Sequence, residues 1–78
     1  MQKKIKLIWD FKGESGLKIA EHHATHLKEF AAREKLPYDL CDFNQYSEMH
    51  AIAFIIVDEV DMKIYRDALK PHRGTLVK

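Results

Sequence analysis

The sequence predicts an α+β fold, one antiparallel sheet with two helices on a single face, and three observations predict it. Apolar and polar residues alternate between Lys4 and Phe11, the period of a half-buried strand. Apolar residues then recur at helical spacing through Leu17, Ala20, Ala24, Leu27 and Ala31. After Pro37 strand patterns return, followed by a second helical pattern that Pro71 closes.

In the first strand Ile5, Leu7, Trp9 and Phe11 share one face, and Lys4, Lys6, Ile8 and Asp10 the other. Gly13-Glu14-Ser15-Gly16 breaks it, with Ser15 expected as the N-cap of a helix and Glu14 favourable beside its positive end. That helix is expected from about Gly16 to Lys35, with Ile19 and Phe30 widening its apolar stripe. Tyr38 to Phe43 reads as a second strand, and Asn44, Gln45 and Ser47 suit a hairpin connection. His50 to Val57 is the third strand. Asp58 is placed to cap a helix running through Met62, Ile64, Tyr65, Ala68 and Leu69. Thr75-Leu76-Val77 suits a short last strand. This order is the signature of a ferredoxin-like βαββα(β) sandwich, a single domain over residues 1–78. Right-handed crossovers would then put the first and third strands at the centre of the sheet.

Composition narrows the function classes. Thirteen Lys and Arg stand against twelve Asp and Glu, without the strongly basic face of a nucleic-acid module. Cys41 is the only cysteine, so no internal disulfide and no Cys-based zinc motif can form. The longest apolar run, Ala51 to Val57, is too short to span a bilayer, and no secretory apolar region follows the first lysines. A cytoplasmic protein with no membrane partner is expected.

All five histidines lie in three stretches, Glu21-His22-His23-Ala24-Thr25-His26, Ser47-Glu48-Met49-His50 and Lys70-Pro71-His72-Arg73-Gly74. Chain direction in the expected topology carries Trp9, Asp10, the first half of the helix, Glu48, His50, His72 and Arg73 to one end. At roughly 100° per residue His23 lies nearest the apolar stripe, His22 points away, and His26 falls between, near Ile19 and Phe30. His22 and His26, or His23 and His26, have spacings that could chelate a metal from adjacent turns. The HExxH pattern is absent, and no resident metal or cofactor is expected. A histidine beside Asp10 or Glu48 would have an oriented tautomer suited to proton transfer. Arg73 with His72 could hold a carboxylate or phosphate, and Trp9 could wall a pocket. The candidate ligand-binding set is therefore Trp9, Asp10, His23, His26, Glu48, His50, His72 and Arg73. No motif assigns a catalytic residue.

The third strand is apolar on both faces. Ala51 and Ala53 suit close contact beneath a helix, which leaves Ile52, Phe54 and Ile56 on the open face. A face of that kind marks a partner surface, and a homodimer through the sheet is the simplest closure.

Trp9-Asp10-Phe11, Glu21-His22-His23 with His26-Leu27-Lys28-Glu29-Phe30, Ser47-Glu48-Met49-His50 and Lys70-Pro71-His72-Arg73-Gly74 together resemble a family of small uncharacterised bacterial proteins. The expected architecture is also similar to the dimeric α+β barrel group. There two ferredoxin-like sheets pack face to face, and a cleft beside each binds small organic substrates. The resemblance implies a dimer with His23 and His50 at such a cleft. The leading expectation is a His-rich pocket for a small polar or anionic ligand at one end of the sheet. The alternative is a non-catalytic homodimeric module that works through the open sheet face.

Overall fold

Strands and helices succeed one another as β1 (Lys4–Lys12), α1 (Gly16–Glu34), β2 (Leu40–Ser47), β3 (His50–Asp58), α2 (Glu59–Leu69) and β4 (Arg73–Val77) in the computed structural model, which describes residues 3–77. The four strands form one antiparallel sheet in the order β2-β3-β1-β4, so the first and third strands are central. Leu7 faces Ile55, Trp9 faces Ala53 and Phe11 faces Ala51 across the central pair. These residues join Ala20, Ala24, Leu27, Phe30 and Ala31 of α1 and Tyr65 of α2 in one buried cluster, so both helices cover the same face. No helix among the described residues is long and apolar enough to cross a membrane.

The opposite face carries its own small cluster, Ile8, Ile52 and Phe54, with Ile56 against it. No helix among the described residues lies over it, yet it is not bare. Ile52 is 0% exposed and Phe54 9%. Ile52 is flanked across the strands by Asp10 and Asn44, and the Lys6 ammonium lies 4.3 Å above the Phe54 ring.

Local detail departs from the sequence reading at several points. Ser15 precedes α1 but makes no capping hydrogen bond; its backbone is not in the extended form an N-cap needs. α1 ends before Pro37, where Lys35 turns left-handed (φ 56°) and its N–H bonds the carbonyls of Ala31 and Ala32. Ile19 and Ile64 are exposed, and α2 buries only Tyr65, helped by Met62 and Leu69. Asp58 stands at the N-cap of α2, but its carboxylate pairs with Lys4, which also reaches Asp39 at 3.2 Å. β2 starts at Leu40 and continues to Ser47, so Asn44 and Gln45 pair with Ile52 and Ala51 instead of forming a loop. The hairpin turn is Glu48-Met49 alone. β4 begins at Arg73, opposite Ile8, two residues earlier than the apolar pattern suggests.

Gly16 fixes how α1 meets the sheet. A Cβ at this position would lie 2.8 Å from the Phe11 carbonyl oxygen, closer than side chains approach backbone. Gly16→Ala is therefore expected to lower stability by about 1–3 kcal/mol, since the helix start must move off β1. The check is a reduced urea midpoint at unchanged slope. A midpoint equal to the parent's would show that the helix start is free to shift.

Candidate functional site

β1 sends alternate side chains to opposite faces, so Trp9 points under the helices and Asp10 onto the open face. Six of the eight candidates, Trp9, Asp10, His23, His50, His72 and Arg73, lie together at one end of the sheet, in two groups on either side of it.

Asp10 is the centre of the open-face group. Its Oδ1 lies 2.8 Å from His50 Nε2 and 3.0 Å from Arg73 Nη2, and its Oδ2 accepts from Arg73 Nε at 3.0 Å. Register explains the meeting: Asp10 faces Ile52, two residues along β3 from His50, while Arg73 faces Ile8, two residues along β1 from Asp10. Strands on both sides thus deliver a donor to one carboxylate. Burial pushes the Asp10 carboxyl up, but the hydrogen bonds from His50 and Arg73 and the guanidinium charge outweigh it and hold the group below its ordinary value. An ionised carboxylate can only accept, so His50 Nε2 carries the proton and the neutral ring offers Nδ1 as a base. The side chains of His50 and Asp10 are 28% and 20% exposed, which leaves the pair within reach of a solute.

Two features of this group were not anticipated. The Tyr46 ring meets His50 nearly edge-on, with centroids 5.4 Å apart. It sits at a register shift between Gln45 and Ser47, and a bulge re-aims its side chain without any marker in the sequence. Arg73, expected as a free anion clamp, already spends its fork on Asp10.

Under the helices Trp9 Nε1 donates to the Leu69 carbonyl at 2.9 Å, which ties β1 to the end of α2. His23 stands against the rings of Trp9 and Phe11, at 5.0 and 5.4 Å. Its Nε2 is buried without a hydrogen-bond partner among the described residues. Burial first, then the nearby His26, His72 and His22, push His23 below its ordinary value, which favours the neutral ring. His72 closes this side: its Nδ1 accepts from the Asp10 N–H at 2.8 Å, and its own N–H donates to the Ile8 carbonyl at 2.9 Å. The imidazole thus takes over from β4 where that strand's backbone leaves β1.

His26 and Glu48 join neither group. His26 faces His22 on the exposed side of α1, with ring centroids 4.4 Å apart. Glu48 is exposed in the hairpin turn and makes no hydrogen bond or ion pair among the described residues. No group of three or more His, Cys, Asp or Glu side chains among those residues could hold a metal ion. Cys41 is buried, with its Sγ 3.5 Å from the Ala24 carbonyl, and burial pushes its thiol up to about 11, away from thiolate chemistry.

Comparison of the chain with known protein families, with curated proteins and with solved structures finds no match.

Asp10 and His23 tie stability to pH in the same direction. Folded His23 lies below 6.5, so on acidification the unfolded chain takes up its proton first, and stability falls until pH passes the folded value. Folded Asp10 lies below 3.8, so its contribution is present above that value and is lost as pH falls through its folded value. Unfolding free energy is thus expected to decline in two acid stages. His23→Phe is expected to shrink the upper stage and leave the lower, as urea titrations at stepped pH would resolve; an upper stage undiminished in the variant would contradict the assignment to His23.

Proposed function

We propose that this chain is a ferredoxin-like protein that binds a small anionic ligand at one end of its open sheet face, with His50 as the contacting group. The observation that carries the reading is the Asp10 carboxylate shared by His50 Nε2 and the Arg73 fork. Such a carboxylate fixes the ring's orientation and tautomer and aims the other nitrogen, Nδ1, away from the protein interior. A protonated ring would donate from Nδ1 to a carboxylate or phosphate oxygen, and a neutral one would accept a proton from the ligand. Lys12, directly opposite His50 on β1, adds positive charge beside it, and Tyr46 offers an apolar edge. Trp9, His23 and His72 back the site from across the sheet. The strand order β2-β3-β1-β4 supports the ferredoxin-like part of the reading, and the single buried thiol fits a reducing cytoplasmic compartment.

Titration with inorganic phosphate and with acetate, followed by amide and imidazole NMR, tests the site. Shifts are expected to centre on His50, Lys12 and Tyr46. His50→Ala is expected to weaken binding by about tenfold or more, and Asp10→Asn by several-fold, because the ring loses its orienting partner. Unaltered binding by His50→Ala would end the reading.

The apolar row of the same face favours a second reading, self-association through the sheet. Exposed Leu40 and Tyr46 of β2 and Val77 of β4 share the face of Ile8, Ile52, Phe54 and Ile56, and no helix among the described residues covers it. Two such faces packed together would enclose both His50 sites, the arrangement of the dimeric α+β barrels. Light scattering after gel filtration is expected to give twice the mass of the 9.2 kDa chain, and Leu40→Lys, at an already exposed position, is expected to yield the monomer. A monomeric parent at high micromolar concentration would overturn the dimer.

A further inference from the structure

At the rim two imidazoles occupy places that only a neutral ring can fill. His72 Nδ1 accepts the Asp10 N–H at 2.8 Å, so a proton on Nδ1 would set one N–H against another. His23 Nε2 is buried against aromatic rings with no partner, so a charge there would go uncompensated. Phe11 stands between the two, 5.4 Å from His23 and 6.3 Å from His72.

The groups facing them favour that neutral state at His23. α1 presents His22 and His26, and the connection before β4 presents His72. β1 offers only the rings of Trp9 and Phe11, and β3 shows Ala51 and Ala53 on this face. His72 is faced by His23 from α1 and by the Asp10 amide from β1, while Lys70 in the connection and Arg73 at the start of β4 are its neighbours along the chain. The Asp10 carboxylate lies on the other face, already shared by Arg73 and His50.

Asp10 therefore has two independent anchors. Its amide is held by His72, and its carboxylate by the next residue, Arg73, and by His50. We propose that His72 and His23 form an acid-sensitive latch that, while both rings are neutral, holds the end of β1 and with it the Asp10–Arg73–His50 group. Proton uptake from water at His72 Nδ1 breaks the N–H···N bond, and at His23 it expels the ring from the aromatic box. Either event frees the segment that positions Arg73. As control over ligand binding, the latch rests on the reading of the His50 face as an anion site; as a structural device it does not.

The test is an amide and imidazole NMR titration of the intact chain from about pH 7.5 to about pH 5, with and without inorganic phosphate. His72 is expected as the Nε2–H tautomer at the upper end. The Asp10 and Arg73 amides are expected to move with the midpoint of the imidazoles, and exchange protection at Asp10 to fall roughly tenfold or more after correction for the intrinsic rate. His72→Asn supplies the decisive variant, since its side-chain oxygen can accept the same amide but cannot titrate. It is expected to keep the Asp10 amide fixed and to retain phosphate at the pH where the parent has lost it.

An Asp10 amide indifferent to pH through the His72 transition overturns the latch, as does a His72→Asn chain that responds like the parent. Should that variant not fold, the parent and His23→Phe titrations decide the matter, with a narrowed or shifted acid response expected in the latter and an unchanged one against the proposal. Phosphate that fails to bind the parent at about pH 7.5 while the Asp10 amide still follows His72 overturns the ligand reading and supports the latch.

Discussion

Everything at the rim depends on the β1–β3 ladder, which runs from Lys4 opposite Asp58 to Lys12 opposite His50. Its middle supplies the core: Leu7, Trp9, Ala53 and Ile55 face the helices, while Ile8, Ile52 and Phe54 fill the other side. Because both faces are committed, a slip of one residue would carry Trp9 into solvent and Asp10 beneath α1, so the register is strongly specified. The polar contacts at the two ends of the ladder then follow from its length. Lys4 meets Asp58 at one end, and Asp10 meets His50 at the other. A domain of this size buries a modest apolar core, and each well-placed charge-assisted contact is a real fraction of its stability.

That register also accounts for what could and could not be read from the chain. The alternation over Lys4–Phe11 and the continuous apolar run of β3 are strong periodic signals, and they place the central strands, the single helix-covered face and the meeting of distant histidines at one end. The same alternation puts Trp9 and Asp10 on opposite faces, and only the grouping by chain direction joins them in one candidate site. Chain direction alone brings residues to an end of a sheet and is silent about the side. Tyr46 was hidden because a bulge is a property of pairing between strands, not of the local sequence. β2 lies later in the chain than its apolar pattern suggests, because an edge strand tolerates polar residues such as Asn44 and Gln45 that read as loop. Arg73 and Gly74 look like residues that end a helix, yet they open β4, since nothing local reveals that β1 has a free edge waiting for them.

Edge strand β4 shows most clearly how stability and chemistry are joined here. All five of its residues are exposed, so burial contributes little to holding it, and its ladder to β1 is short. What pins its start is polar: the Arg73 fork on the Asp10 carboxylate, and the His72 ring and amide on Asp10 and Ile8. Backbone hydrogen bonds at an exposed edge open easily, because water competes for both partners. A bidentate charged contact and a side chain that mimics the missing strand counter that tendency at the one place where fraying would begin. The consequence is that the Asp10, Arg73 and His50 group also closes the sheet, and a change in the charge of any member is felt at the edge strand.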